Sequence, residues 1–269
     1  MKKFLDIRDY FSFKTNKKIY SFYEKNAVFG NSFFINDAYV LKRYDDIEIP
    51  EISLEKLNGV HEIIKDKKIG ETLISLDLNE RVKITRLVHG DLSYDDEPSI
   101  PQIRNVAKTL RKLHKNVSEN DIAMDIISLF YHYKDASENK LNKIEENRMV
   151  RELKSILDKA PIGLCHNLLT KDNIIYRFDS SLLINFELAN INYTYFDLAS
   201  FILENLKEEE SKEVFLKTYF GSKYNQLKHR RIDIFIRFLR GFYYYFYQYL
   251  YSLTNKDYYL ELSNKYNKK

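Results

Sequence analysis

The sequence predicts an α+β protein, with a small antiparallel sheet in its N-terminal third and helices through most of the remainder. Three observations lead to this expectation. Short runs rich in β-branched and aromatic residues cluster before residue 88, and turn pairs such as Asn36-Asp37 separate them. After residue 99, apolar residues recur at helical spacing. We therefore expect two lobes, at residues 1–88 and 89–269.

The elements of the first lobe are expected in the order β-β-β-α-β-β. Strands are predicted at residues 18–24, 32–35, 38–44, 73–76 and 82–87. Apolar residues spaced as on one helix face predict a helix over residues 52–64.

The second lobe is expected to be mainly helical. Ser99 and Pro101 mark the start of a helix whose apolar face reaches Leu113. Further predictions are an amphipathic helix around 149–157, a small hairpin of 174–176 with 182–186, a helix from Asp197 to Leu206, and aromatic-rich helices at the end of the chain. The charged run 207–213 is expected to be a solvated face or a loop.

Composition narrows the class of protein. The chain has 269 residues, of which 44% are hydrophobic and 30% charged, so it can bury a core and is neither disordered nor collagen-like. Lys and Arg number 43 and Asp and Glu 39, and a net charge of +4 is low for a dedicated nucleic-acid binder. The short basic run at 228–231 leaves polyanion binding as an alternative, which salt-dependent affinity would reveal.

No segment resembles a membrane span or a targeting signal. The most apolar stretch, residues 235–253, is mostly tyrosine and includes Arg237 and Arg240, which predicts a buried aromatic helix. The single cysteine, Cys165, excludes an intramolecular disulfide and is expected to be an inert packed thiol. We expect a cytoplasmic protein.

Three motifs carry a family resemblance. Residues 164–173 are LCHNLLTKDN, residues 183–190 are LINFELAN, and residues 195–201 are YFDLASF. In order and spacing they resemble the bacterial choline/ethanolamine kinase family, which is related to the aminoglycoside phosphotransferases. The resemblance covers residues 15–269 and implies a two-lobed, protein-kinase-like fold that takes ATP, Mg²⁺ and a small alcohol such as choline.

The resemblance also assigns residues to roles. Phosphoryl transfer is mainly positioning and charge neutralisation, which calls for a base, metal ligands and a lysine on the phosphates. Asn173 matches the asparagine that binds the metal in the family, and Lys42 matches the family's lysine that pairs with the phosphates. Glu55 or Glu62 is the expected ion-pair partner of Lys42. Asp197 matches a structural residue that braces the catalytic loop.

Three positions depart from the family pattern. Leu168 stands where the family has its catalytic base, and leucine cannot accept a proton. Asn185 stands at an aspartate that binds the metal, and an amide brings no charge to a Mg²⁺ ion that favours carboxylates. The loop at 26–32 keeps only Gly30 of a glycine-rich turn that brings backbone close to phosphate.

Other residues are candidates to compensate for these losses. Glu187 is expected either to complete a weak Mg²⁺ site with Asn173 and Asn185 or to support the loop through hydrogen bonds. His166 is expected to pack the loop rather than act as a base. Asp172 is a further candidate base, although its side chain should point away from that of Asn173.

The helical segment 241–251 is the expected acceptor region. Tyr244, Tyr247 and Gln248 are the candidate contacts, since aromatic faces attract quaternary ammonium groups by cation–π interaction. The alternative is that these tyrosines only pack in the core.

The sequence thus predicts a choline kinase-like protein that is catalytically impaired or inactive. The alternative is a kinase of choline or another small alcohol that is still active. If the protein is active, its expected cofactors are ATP and Mg²⁺. The alternative is that it has no cofactor. The ligands are expected to be a nucleotide and a small amino alcohol, with no nucleic acid.

Overall fold

A computed structural model describes residues 6–46, 49–50, 52–91 and 97–267 and shows two lobes. The N-terminal lobe is a five-stranded antiparallel sheet with the order β1-β2-β3-β5-β4. Its strands are β1 (Phe22–Ala27), β2 (Gly30–Ile35), β3 (Tyr39–Tyr44), β4 (Leu73–Asp77) and β5 (Val82–Arg86). Helices α1 (Ile7–Thr15) and α2 (Leu54–Lys67) accompany the sheet.

The C-terminal lobe is mainly helical. Its helices are α3 (Ile100–His114), α4 (Ile126–Ala136), α5 (Lys143–Lys154), α6 (Thr194–Asn205), α7 (Glu209–Phe220), α8 (Gln226–Thr254) and α9 (Asp257–Asn264). Two small antiparallel pairs join β6 (Ile162–Cys165) to β9 (Asn190–Tyr193) and β7 (Ile174–Tyr176) to β8 (Ser181–Leu183). The predicted fold class is confirmed, and the predicted lobe boundary at 88/89 falls between β5 and α3.

Alternation along the strands gives the sheet of the N-terminal lobe two different faces. Residues such as Phe33, Leu41 and Ile84 form a buried core with Tyr10 and Phe11 of α1. Because successive side chains point to opposite faces, the residues between them point towards the C-terminal lobe. These residues include Ser32, Phe34, Val40, Lys42, Lys83 and Thr85.

Some elements differ from their predictions. Helix α1 was not predicted, because its sequence is mostly polar and only Tyr10 and Phe11 are buried. Strand β1 begins at Phe22 rather than at residue 18, since Asn36 Oδ1 accepts the backbone N–H groups of Tyr20 and Ser21 at 2.7 and 3.2 Å.

The charged run 207–213, expected to be a solvated face or a loop, has parts of both kinds. Residues 207 and 208 precede α7, which starts at Glu209, where exposed acidic residues suit the positive end of a helix. Helix α6 begins at Thr194, which places Asp197 in its first turn. Among the described residues, no helix is long and apolar enough to cross a membrane.

Candidate functional site

A cleft of about 1240 Å³ lies between the two lobes. Part of its lining is mostly apolar and comes from both lobes, with Phe34, Val40 and Thr85 from the sheet and Ile175 and Ile184 from the C-terminal lobe. We call this part the apolar slot. Leu87 and Val88, which follow β5, also line the cleft.

Four buried charged residues form an ion cluster at the inner wall of the cleft. Lys42 and Lys83 lie directly opposite each other on β3 and β5, where like charges repel. Glu187 lies between them, and its Oε1 is 3.3 Å from Lys42 Nζ and 2.8 Å from Lys83 Nζ. Glu71 Oε1 is 2.7 Å from Lys83 Nζ. Two lysines and two glutamates thus neutralise one another.

Burial and pairing compete in setting the pKa values of this ion cluster. Burial works to raise the pKa of Glu187, but Lys42 and Lys83 outweigh it and hold the pKa well below the usual range. Burial works to lower the pKa of Lys83, but Glu187 and Glu71 outweigh it and raise the pKa. Burial lowers the pKa of Lys42, with repulsion from Lys83 adding to the effect.

The ion-pair partner predicted for Lys42 was wrong. Lys42 pairs with Glu187, whereas Glu55 and Glu62 are exposed on α2. Helix α2 buries Leu57, His61 and other apolar residues instead, so its two glutamates lie on the solvent side, where Glu55 accepts a hydrogen bond from Ser53 Oγ at 2.8 Å.

His61 of α2 is buried against the ion cluster. Its Nε2 lies 3.9 Å from Glu71 Oε1, and no hydrogen bond reaches either ring nitrogen from the described part of the chain. Burial, together with the charge of Lys83, lowers the pKa of His61 to about 4.

This histidine predicts a pH dependence of stability. Between its folded pKa of about 4 and the ordinary value of ~6.5, the unfolded chain binds more protons, so the fold loses stability as the pH falls. We expect His61 to contribute about 2 kcal/mol to the loss that urea denaturation shows between pH 7 and pH 4.5. His61→Leu should remove that contribution and leave the part due to other groups such as the buried His166, whereas His132→Gln, on the exposed side of α4, should leave the loss unchanged. Equal pH slopes for His61→Leu and the wild type would contradict the prediction.

Asp197 organises the loop that begins at His166. Its two oxygens accept the backbone N–H groups of His166 and Asn167 at 2.8 and 2.7 Å, and Oδ2 lies 3.0 Å from His114 Nε2. Asn167 has the left-handed φ of 68°, which asparagine tolerates better than most residues. Asp197 is therefore placed to brace this loop and lies away from the cleft.

His166 has both ring nitrogens engaged inside the loop. The Leu168 N–H donates to Nδ1 at 3.3 Å, so Nε2 carries the proton and donates to the Ile184 carbonyl at 2.8 Å. Burial lowers the pKa of His166, which keeps the ring neutral. These bonds place His166 as a packing residue. Nearby, Cys165 is buried, and burial raises the pKa of its thiol.

The residues at the catalytic positions face the cleft but satisfy one another. Leu168 lines the cleft with a side chain that is almost fully buried. Asn173 Nδ2 donates to the Leu168 carbonyl, and Asn185 Nδ2 donates to Asn173 Oδ1, both at 2.8 Å. Asn185 also has a left-handed φ of 63°. We call Asn173 and Asn185 the amide pair.

These side chains do not fit a Mg²⁺ ion. One amide oxygen of the amide pair already accepts an N–H, and Glu187 Oε1 accepts from Lys42, Lys83 and Tyr44. Asp172 lines the cleft, but its side chain is 74% exposed and lies 4.0 Å from Lys25 Nζ. Mg²⁺ is bound in proteins mainly through carboxylates and substrate phosphates. The predicted metal role of Glu187 thus conflicts with its place in the ion cluster.

Gly30 is required by strand packing. It has a φ of +148°, and a Cβ on it would lie 2.0 Å from the carbonyl oxygen of Arg43. The cleft is lined instead by the residues before it, Ala27, Val28 and Phe29. Gly30 was predicted to contact a nucleotide. In the structure, its lack of a side chain lets β2 lie close to β3.

Of the three predicted acceptor residues, only Tyr247 lines the cleft. Tyr244 packs on Tyr245 at 5.1 Å between ring centroids, and Gln248 Oε1 accepts the Asn139 N–H at 3.3 Å. Residues 244 and 248 are four apart and share one face of α8, which is turned away from the cleft. The prediction was therefore wrong for these two residues.

Sequence reasoning missed two residues beside Tyr247. Tyr266 stacks on Tyr247 at 6.0 Å between centroids, and its hydroxyl donates to Glu204 Oε1 at 2.5 Å. Burial raises the pKa of Glu204. Tyr247, Tyr266 and Glu204 all line the cleft, where they form an aromatic wall with a carboxylate. Tyr266 and Glu204 both lie outside the predicted acceptor segment 241–251, so that prediction did not include them.

Comparisons with known proteins agree with this arrangement. Residues 26–237 match the model of the choline/ethanolamine kinase family. The protein LicA of Haemophilus influenzae is 23% identical over 177 residues, which is 59% of this chain and 65% of that protein, just under two thirds of its length.

Solved structures share the fold. Choline kinase LicA from Streptococcus pneumoniae superposes with a TM-score of 0.74 at 16% identity, over 97% of this chain and 95% of that one. The ADP-bound aminoglycoside phosphotransferase APH(2'')-Ib gives a TM-score of 0.63 at 14% identity, over 98% of this chain and 97% of the other. The family match covers well over half of the chain. The protein therefore belongs to the choline/ethanolamine kinase family.

Proposed function

We propose that this chain is a choline kinase-like protein that binds a nucleotide in the interlobe cleft and transfers its phosphoryl group very slowly or not at all. The observation that carries the proposal is the chemistry at the two catalytic positions. A buried leucine stands at the place of the general base, and an amide bonded to Asn173 stands at the place of the metal carboxylate.

The apolar slot supports nucleotide binding. It combines aliphatic and aromatic walls with the chain segment Leu87–Val88 that joins the lobes. Pockets that take small molecules are commonly apolar with a few polar groups, and they occur at domain interfaces. The structurally similar aminoglycoside phosphotransferase was solved with ADP bound.

A small amino alcohol is the proposed second ligand. The aromatic wall of Tyr247 and Tyr266 with Glu204 suits a cationic head group, since ring faces and a carboxylate both attract positive charge.

A cytoplasmic location of the protein stays a prediction.

An active kinase is the second candidate function, because two carboxylates outside the ion cluster line the cleft. Asp172 is exposed, and Glu204 is half-buried. Either carboxylate would have to act as the base, because Leu168 cannot accept a proton. This candidate requires a reacting hydroxyl to reach one of them.

Steady-state phosphorylation of choline and ethanolamine with ATP and Mg²⁺ tests the proposal. We expect a rate at least about 10²-fold below that of the S. pneumoniae choline kinase in the same assay, because general-base catalysis contributes ~10²–10⁴-fold. A comparable rate would contradict the proposal. Asp172→Asn and Glu204→Gln would then show which carboxylate acts, with Asp179→Asn, in the β7–β8 turn, as the control.

A further inference from the structure

The β1–β2 turn is fastened to the C-terminal lobe by Phe29. Its backbone N–H donates to Tyr259 Oη of α9 at 3.1 Å, and its carbonyl accepts the Asp45 N–H at 2.9 Å. Its ring is buried and packs edge-on against Phe246 of α8, with 6.2 Å between centroids. A backbone that cradles phosphate needs free N–H groups facing the ligand. The Phe29 N–H already has a partner.

The Phe29 ring also stands beside the lysine that would meet phosphate. Lys42 Nζ lies 5.8 Å from the centroid of the Phe29 ring and 5.5 Å from that of Tyr44. The same ammonium is paired with Glu187. The ion cluster as a whole carries no net charge, so it offers little attraction to a triphosphate.

The amide pair completes the same pattern. Its internal hydrogen bond takes the Asn173 oxygen that would face a metal–phosphate complex. Each of three features that would hold β- and γ-phosphates thus has at least one partner within the protein. These are the turn backbone, the lysine charge and the metal ligands.

No side chain of the described residues fills the apolar slot in this way. Its walls face open cleft volume, and hydrophobic burial of a base does not depend on phosphate or metal. Five cationic side chains outside the ion cluster line the cleft: Lys25, Arg86, Arg240 and Lys265 are exposed, and Lys171 is half-buried. Exposed charges of this kind give only weak, salt-screened attraction.

We propose that the cleft binds an adenine nucleoside or its monophosphate through the apolar slot, and that the β- and γ-phosphates and Mg²⁺ add no affinity. This inference rests on the proposed function, because both place a nucleotide-type ligand in the cleft. It specifies the class of ligand, which the proposed function leaves open.

Calorimetric titration of the full chain tests this inference. Adenosine, AMP, ADP and ATP are titrated with and without Mg²⁺, in 0.5 M KCl so that these exposed charges are screened. We expect the Kd values of adenosine and ATP to agree within about threefold, with Mg²⁺ changing neither. ATP with Mg²⁺ binding tenfold or more tightly than adenosine would overturn the inference while supporting nucleotide binding. No binding by any of the four would overturn the proposed function as well.

Two variants test the structural cause. Val40→Phe should fill the apolar slot and weaken adenosine binding by tenfold or more, and an unchanged Kd would place the ligand elsewhere and overturn the inference. Tyr259→Phe frees the Phe29 N–H without emptying the core, and it should tighten ATP binding relative to adenosine by severalfold. An unchanged ratio would overturn the role of the turn. Tyr131→Phe, on the surface of α4, is the matched control.

Discussion

Glu187→Gln is expected to lower the free energy of unfolding by about 3–5 kcal/mol, because it removes one partner of a buried ion cluster and leaves the other charges uncompensated. Glu187 Oε1 accepts from Lys42, Lys83 and Tyr44. Lys42 and Lys83 face each other across β3 and β5, so they would repel once the carboxylate is gone. Urea denaturation at pH 7 measures the change through the shift in midpoint.

The control for Glu187→Gln is Glu152→Gln. Glu152 pairs with Arg237 at 2.7 Å and with Arg148 at 3.0 Å on the surface. Exposed ion pairs contribute only ~0–1 kcal/mol, so the control should change stability little. A loss below about 1 kcal/mol for Glu187→Gln would mean that the ion cluster contributes no more than a surface pair.

The effect of Glu187 should also depend on pH in a defined direction. Because its folded pKa is held below the unfolded value of ~4.3, its stabilisation is present above that value and is lost as the pH falls through the folded pKa. The difference between wild type and Glu187→Gln should therefore be largest near neutral pH and should shrink below about pH 4. The His61 effect lies at higher pH, which separates the two.

The double variant Leu168→Asp with Asn185→Asp is expected to raise phosphoryl transfer to choline by about 10²-fold or more over the wild type. The first change supplies a proton acceptor in the loop, and the second supplies a carboxylate for Mg²⁺ next to the Asn173 amide. Aspartate tolerates the left-handed φ of residue 185 almost as well as asparagine. Initial rates with ATP and Mg²⁺ measure the gain.

The matched control is Leu168→Asn with Asn185→Asp, which keeps the size and polarity of the new side chain but adds no base. The thermal midpoint of each variant shows whether a polar group at this buried position is tolerated. If both double variants transfer phosphate equally slowly, the missing base is not the reason for low activity. The proposed function would then depend only on the turn backbone, the lysine charge and the metal ligands.

The sheet and the loop could be predicted from sequence because local patterns determine both. Alternation in residues 38–44 places Lys42 on one face, and the spacing from Leu168 to Asn173 places both on one loop. The ion cluster was missed because Lys83 becomes a partner of Lys42 only through strand register. The residue pattern of one strand does not show which strand lies beside it, so the pairing of β3 with β5 could not be predicted.

The errors in the candidate site have physical causes. Glu55 and Glu62 were placed toward Lys42 because they share a helix face, yet burial of Leu57 and His61 turns that face to solvent. Helix α8 is buried on nearly every side between Phe235 and Leu250, so no periodicity separates the cleft side from the core side. Tyr244 was assigned to the cleft for that reason.

The amide pair has a consequence for how this protein can evolve. Its two side chains satisfy each other without metal, so the fold does not need a ligand to be stable at this point. Under the proposed function, Asn185→Asp alone would set a carboxylate against the Asn173 oxygen with no base at residue 168 to use a bound metal. Leu168→Asp alone would put a carboxylate at a buried position with no metal carboxylate beside it. The two changes are therefore expected to raise phosphoryl transfer only together, while each alone lowers stability.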